Sequence, residues 1–332
     1  MLASRLTRII TKREILELSK HDYRFCCCRY HGVADRSAKM KWIKSTFRNS
    51  SKLPVKDPPV TLWTRHIETA TSDGGAHQRP RASSTIDEED VKRFSALANY
   101  WWKESGEFEA LHTLNELRIP LIRDALKGQS LSENRGQQSH PLVGLKVLDV
   151  GSGGGILAEP LARLGASVIG VDASAENIRV AQTHAMRDPQ VAKNVKYIHS
   201  SVEDLVGTEE DSFDAVVASE IIEHVFNAPE FITSCCKLVK PGGSLFLTTI
   251  NKTYISYLLA VIAAENILHL VPQGTHEWDK FISPSDLQYQ LCQNNMTTKL
   301  VHGMCYNPLS RRWSWIRDSS VNYAIHAVKL KV

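Results

Sequence analysis

The sequence predicts an α/β fold in which a mostly parallel sheet carries helices on both faces and an antiparallel edge. Three observations lead there. From Lys146 onward, short runs rich in Val, Ile and Phe alternate with stretches of helical periodicity through short connections, the pattern of a parallel sheet buried on both sides. The first such run ends in the glycine-rich stretch LDVGSGGGIL, residues 148–157, which reads as a strand-to-helix turn. Two late runs, 298–305 and 321–330, have little between them except NPLSRRWSWIRDSS, so they read as an antiparallel edge pair.

In chain order, the first element is a basic head. The chain has 332 residues, 42% hydrophobic and 23% charged, with a net charge of +4, ordinary for a globular protein able to bury a core. Residues 1–60 hold fourteen Lys and Arg against five Asp and Glu, so +9 sits at the front and the remainder is −5. Such asymmetry suggests a targeting sequence or a nucleic-acid arm. The opening MLASRLTRIITKREI sets Arg5, Arg8, Lys12 and Arg13 among Leu6, Ile9 and Ile10, with no acid before Glu14. That is the composition of a mitochondrial presequence, so no nucleic-acid partner is expected; a basic tail with no address stays open. The seven cysteines, at 26, 27, 28, 235, 236, 292 and 305, show no Cys-x-x-Cys spacing, which fits a reducing compartment better than a disulfide framework or zinc site.

Residues 30–84 are polar and irregular and read as a mostly disordered linker. Residues 1–85 are therefore taken as presequence and linker, and 86–332 as the folded domain. Thr85-x-x-Glu88 forms a capping box ahead of Val91, Phe94, Leu97, Ala98 and Trp101 at helical spacing. A second helical stretch near 110–127 carries Arg118. The strands that follow are 146–150, 167–172, 195–200, 213–219 and 244–250. No internal repeat is evident, and no apolar run reaches the roughly 20 residues that span a bilayer.

The glycine turn invites a ligand, and its spacing narrows the choice. A P-loop needs Lys then Ser or Thr after its last glycine; Ile156 and Leu157 stand there. The dinucleotide fingerprint needs a third glycine at position 156, which is Ile156. What remains is G-x-G-x-G at Gly151, Gly153 and Gly155, with Asp149 before it and Asp172 closing the next strand. Glycines let backbone approach a ligand closely, and an acid about 20 residues on can accept from ribose hydroxyls. No Arg or Lys in the loop awaits a phosphate, so a nucleoside without phosphate fits. A tight turn with no ligand is the competing reading.

The fourth strand ends in Ser219-Glu220-Ile221-Ile222-Glu223-His224, at the strand ends where open α/β sheets gather ligands. Two carboxylates and an imidazole this close can hold a divalent cation that acidifies a hydroxyl. They can equally be a solvated helix N-terminus, and His224 can be a general base without metal.

The stretch VLDVGSGGGILAEPLARLGASVIGVD resembles motif I and the acidic strand end of class I S-adenosylmethionine-dependent methyltransferases. ANYWWKESGEFEALHTLNELRIPLI, SEIIEHV, KLVKPGGSLFLTTINKTYISYLLAVIAAENIL, VPQGTHEWDKFI, GMCYNP and VNYAIHAVK resemble more narrowly the ubiquinone biosynthesis O-methyltransferases, in their mitochondrial eukaryotic form. The resemblance covers roughly 86–330; it departs at Ser152, where that family commonly has Cys, a change expected only to tune the cofactor fit. It implies a Rossmann-like, mostly parallel seven-stranded sheet and methyl transfer from S-adenosylmethionine to 3,4-dihydroxy-5-polyprenylbenzoate and demethylubiquinol. It assigns Arg118, Gly151, Asp172 and Ser219 to the cofactor, alongside Gly153 and Gly155 of the loop. Glu220, Glu223 and His224 become catalytic ligands of a divalent cation, magnesium by the usual assignment, although the imidazole suits Zn or Mn better. Arg118 would meet the methionine carboxylate as a fork; a surface arginine is the alternative.

The segment YISYLLAVIAAENILHLVPQGTHEW, within an insertion of about 252–282, is longer than a sheet connection needs. Residues 255–264 are nearly all apolar, while Glu265, Asn266 and His269 add a polar side. Such a stretch could cap the site, lie in a membrane interface, or do both; a buried covering helix is the plainer reading. Trp313 and Trp315 beside Arg311 and Arg312 allow a second interfacial contact or a packed loop. The resemblance implies a peripheral place on the matrix face of the mitochondrial inner membrane, its lipid surface and other proteins of a coenzyme Q synthesis complex as partners. The rivals are a methyltransferase of another small catechol, which would not need the apolar insertion, and a non-catalytic methyltransferase-like scaffold.

Overall fold

A computed structural model describes residues 84–103, 105–127, 140–256 and 278–331. The presequence, nearly all of the linker, and residues 257–277 of the insertion lie outside the described residues. An eight-stranded sheet has the order β3-β2-β1-β4-β5-β8-β6-β7, with β1 Lys146–Val150, β2 Ser167–Asp172, β3 Val195–His199, β4 Phe213–Ser219, β5 Val239–Ile250, β6 Met296–Asn307, β7 Arg312–Ile316 and β8 Asn322–Lys329. The pairs β1–β2, β2–β3, β1–β4 and β4–β5 are parallel. The pairs β5–β8, β6–β8 and β6–β7 are antiparallel.

The eighth strand corrects the expected seven. It lies inside the connector read as loop, where Trp313 and Trp315 alternate with Ser314 in β7; aromatic alternation favours a pleated, half-buried surface. These tryptophans pack rather than project: both lie against a cluster of Leu114, Leu117 and Met304, and Trp313 Nε1 donates to Ala110 O at 2.9 Å. The packed alternative therefore holds for them.

The sheet is apolar on both faces because helices cover both. Val147 and Leu148, adjacent in β1 and each fully buried, belong to opposite clusters, as the two-residue period of a strand requires. The covering helices are α1 Glu88–Ala96, α2 Glu109–Leu126, α3 Ala158–Arg163, α4 Ala175–Ala185, α5 Pro189–Asn194, α6 Val202–Glu209, α7 Ala228–Leu238 and α8 Pro284–Gln293. Because β1 lies between β2 and β4, successive crossovers leave in opposite directions there, opening a crevice at the carboxyl ends of these strands.

The start of α1 differs from the expected capping box. Asp87 is its N-cap, accepting from the Glu89 and Asp90 backbone N–H groups. Thr85 instead is buried and donates through Oγ1 to Glu203 Oε1 at 2.6 Å. Ile86 bridges Val225, and Phe226 N donates to Thr85 O at 2.8 Å. The segment ahead of α1 is thus held by the first turn of α6 and the loop after β4, and tertiary partners outcompete the local cap.

Candidate active site

At the end of β1 the chain turns under tight backbone control. Gly151 N and Ser152 N both donate to Val171 O, at 2.8 and 3.0 Å, pinning the turn to β2. Gly153 N donates to Asp172 Oδ2 at 2.8 Å, while Ser174 N and Asn177 Nδ2 donate to Asp172 Oδ1 at 2.8 and 3.2 Å. Burial raises the Asp172 carboxyl above its ordinary value, and these three donors oppose it. Each carboxylate oxygen has two acceptor sites, so Asp172 keeps capacity beyond its own chain.

The glycines face the protein's own side chains. At Gly153, with φ +52°, a Cβ would stand 2.5 Å from Trp101 Cη2, and at Gly154 one would stand 2.4 Å from Trp101 Cβ. At Gly155, with φ +90°, it would meet the Tyr197 hydroxyl at 2.3 Å. The room that sequence reasoning assigned to a ligand is partly taken by an indole and a phenol. Gly151 and Gly153 line the cavity in front of the turn, and Gly155 is not part of that lining.

That cavity measures 460 Å³ and brings together Arg118, Asp149, Asp172, Ser219, Glu220, Glu223 and His224. Arg118 reaches it from α2. Its Nε donates to Asn115 Oδ1 at 2.8 Å, Nη1 to Ser219 Oγ at 2.7 Å and Nη2 to Leu111 O at 3.0 Å. Burial lowers its pKa to about 10, and the charges of Asp149 and Glu220 oppose that fall. It is not a surface arginine.

Asp149 is the site residue to which sequence reasoning gave no role. Burial raises its carboxyl to about 7; Arg118 opposes this and Asp172 adds to it. Its Oδ2 is buried and accepts no hydrogen bond among the described residues. The available signal was an acid in the buried part of a strand, between Leu148 and Val150.

Glu220 holds a left-handed backbone, φ +55°, which is sparsely populated for a side-chain-bearing residue and stores strain. Ile222–His224 forms one 3₁₀ turn, in which successive side chains point about 120° apart. Glu223 therefore turns toward β5, where Oε2 accepts from Thr249 Oγ1 at 2.7 Å; burial, then the Glu220 charge, push its carboxyl up. His224 turns toward α1, with Nδ1 3.2 Å from Asp90 Oδ2 and its ring edge-on to Phe94 at 5.0 Å. Among the described residues no three His, Cys, Asp or Glu side chains are grouped to hold a metal ion. The three do not form one ligand set: Glu223 and His224 are taken up by Thr249 and Asp90, while Glu220 Oε1 is buried with no hydrogen-bond partner among the described residues.

Residues 148–247 match the family described as "Methyltransferase domain". The chain is 49% identical over 249 residues to the mitochondrial ubiquinone biosynthesis O-methyltransferase of Rattus norvegicus, covering 75% of this chain and 71% of that protein. For the Homo sapiens protein of the same name the figures are 49% over 251 residues, 76% and 67%. For the Rhizobium etli ubiquinone biosynthesis O-methyltransferase they are 43% over 249 residues, 74% and 97%. Among solved structures, the chain is similar to a magnesium protoporphyrin IX methyltransferase from Synechocystis with bound SAH, with TM-score 0.48, 18% identity, and coverage of 73% of this chain and 94% of that one. A methyltransferase-domain match running from β1 into β5, and relatives in animals and bacteria that are 43–49% identical over about three quarters of this chain, place it in the ubiquinone biosynthesis O-methyltransferase family.

Proposed function

We propose that this chain moves a methyl group from S-adenosylmethionine to a hydroxyl of a polyprenylated catechol or quinol, of the kinds 3,4-dihydroxy-5-polyprenylbenzoate and demethylubiquinol. The observation that carries this reading is the charge order along one cavity. Arg118 stands beside Asp149 and Glu220, which suits the carboxylate and ammonium of an amino-acid zwitterion. Asp172 stands at the glycine turn in the same cavity, which suits a ribose. The volume of 460 Å³ lies in the ordinary range of small-molecule sites, about 300–1,000 Å³.

S-adenosylmethionine supplies an electrophilic methyl group on a sulfonium. The chain's own work is to align the acceptor for in-line displacement and to take its proton, since a phenol ordinarily holds that proton up to about pH 10. A neutral His224 ring that donates from Nδ1 to Asp90 Oδ2, 3.2 Å away, has Nε2 as its basic nitrogen. His224, which lines the cavity, is the base of this reading. A divalent cation such as magnesium remains the second reading, favoured by the resemblance; no step is built on it, because Glu223 and His224 are engaged by Thr249 and Asp90.

The presequence-like head and the mitochondrial names of the mammalian relatives support work in the mitochondrion. A place on the matrix face of the inner membrane, among proteins of a coenzyme Q synthesis complex, is what the resemblance implies, and an acceptor whose tail resides in lipid supports work at a membrane surface. Tyr254, at the edge of the apolar insertion, is 80% exposed and stacked on Trp278 at 5.9 Å, as an interfacial anchor would be. No helix of the described residues is long and apolar enough to cross a membrane.

The test incubates the full chain with labelled donor and a short-chain prenyl catechol, with and without a chelator. Labelled ether formed in both conditions is the expected result. Product abolished by chelator and restored by magnesium would replace the histidine-base reading with the cation reading. No product in either condition would overturn the proposal.

A further inference from the structure

We infer that Trp101 is a positioning residue for Asp172, acting through the Asn177 side chain; this rests on the proposed reading of Asp172 as the ribose acceptor. Trp101 Nε1 donates to Asn177 Oδ1 at 2.9 Å, and Asn177 Nδ2 donates to Asp172 Oδ1 at 3.2 Å. Trp101 comes from the segment ahead of the sheet, 76 positions before Asn177, so the relay joins that segment to a strand end with which it shares no secondary structure.

The indole decides which way the amide faces. An indole N–H can only donate, so Asn177 must turn its carbonyl oxygen toward Trp101. Its NH₂ then faces the carboxylate. The opposite rotamer would set the amide oxygen against Asp172 Oδ1 and leave the indole N–H buried against another donor, two unfavourable contacts at once. Asn177 is 2% exposed, so water is not at hand to repair either.

Trp101 is itself immobilised. It stacks on Phe108 with ring centroids 3.8 Å apart and planes 11° from parallel, and its carbonyl lies 2.7 Å from His112 Nε2. The indole covers Gly153 and Gly154, where any Cβ would collide with it, and Trp102 Nε1 donates to Gly154 O at 2.8 Å. Both Asp172 oxygens are therefore referred to Trp101, Oδ1 through Asn177 and Oδ2 through the Gly153 peptide that the indole covers. A carboxylate so held meets a ribose without reorganising, which is where such an arrangement improves affinity.

The experiment is calorimetric titration of the full chain with S-adenosylhomocysteine and with its 2′,3′-dideoxy analogue. Wild type is expected to bind the ribose form more tightly. Trp101→Phe keeps the stacking and removes the donor; it is expected to weaken S-adenosylhomocysteine about tenfold and leave the dideoxy analogue within twofold. Asn177→Leu is expected to do the same, and Trp101→Phe with Asn177→Leu to be no weaker than Asn177→Leu alone, because the two act on one contact. If Trp101→Phe fails to fold, benzothienylalanine at 101, which puts sulfur in place of the indole N–H, takes its place. Equal losses for both ligands, or additive losses in the double variant, would mean packing alone and overturn the inference. A wild type that does not discriminate the two ligands would overturn the ribose reading of Asp172, and the relay with it.

Discussion

Arg118 Nη1 donates to Ser219 Oγ at 2.7 Å, tying α2 to the last residue of β4, 101 positions later. Ser219 Oγ is in turn 2.6 Å from Thr248 Oγ1 on β5, so a single guanidinium braces a helix against two neighbouring strands at the mouth of the crevice.

Arg118→Lys removes the fork and keeps the charge. A lysine ammonium cannot meet the Asn115, Leu111 and Ser219 oxygens in the plane that a guanidinium does, and at least one is left buried without a donor. Urea denaturation is expected to show a loss of about 2–3 kcal/mol, and S-adenosylhomocysteine affinity a loss of tenfold or more. Unchanged stability would mean that water replaces the fork.

Asp149 makes stability depend on pH. Its native carboxyl titrates at about 7 against an ordinary 3.8. As pH rises between these values the unfolded chain releases the proton while the native state keeps it, so stability falls with rising pH; below 3.8 the contribution is absent. Asp149→Asn removes this dependence. Relative to wild type it is expected to gain about 2–3 kcal/mol between pH 5 and pH 8, read as the change in the difference of two urea midpoints. A difference that stays flat across that range would show Asp149 ionised throughout beside Arg118.

Tyr197 carries a buried hydroxyl with no hydrogen-bond partner among the described residues, and burial raises its pKa. Tyr197→Phe discards a desolvated group that gains nothing and is expected to be neutral or to raise stability by up to about 1 kcal/mol. Gly155→Ala drives a methyl into that hydroxyl at a positive φ, a loss of about 2–4 kcal/mol. Tyr197→Phe is expected to recover part of it, since the nearest clash is with the removed oxygen; thermal melts of the four proteins decide this.

Thr85→Val keeps the shape and removes the donor to Glu203, whose Oε2 already lacks a partner among the described residues. A loss of about 1–3 kcal/mol is expected, with faster amide exchange over 84–87 than in α2. Exchange unchanged at Phe226, whose N–H bonds Thr85 O, would show that the backbone contacts alone hold this segment.

The strands β1, β2 and β4 begin and end at the residues the sequence assigns, because a strand buried on both faces is a continuous apolar run with turn residues at each end. The G-x-G-x-G spacing and the acid 19 residues after Gly153 were equally legible, since local backbone geometry demands them. The eighth strand was harder to see: Arg312–Ile316 is five residues long and acquires its partner only from β6. Asp149 was visible as a residue and silent as a group, because its raised pKa comes from burial that only the packed sheet creates.

What the amino-acid order determined by itself was the alternation of strand and helix, the turn at 151–155 and the pairing of that turn with Asp172; each depends on neighbours within about 30 residues. What only the tertiary structure decided was where side chains point after the chain closes on itself. It placed Trp101 over the glycines and divided Glu223 and His224 between Thr249 and Asp90. Those outcomes rest on contacts between residues 26 to 134 positions apart, whose geometry is set by packing the helices onto the sheet and leaves no periodicity in the sequence.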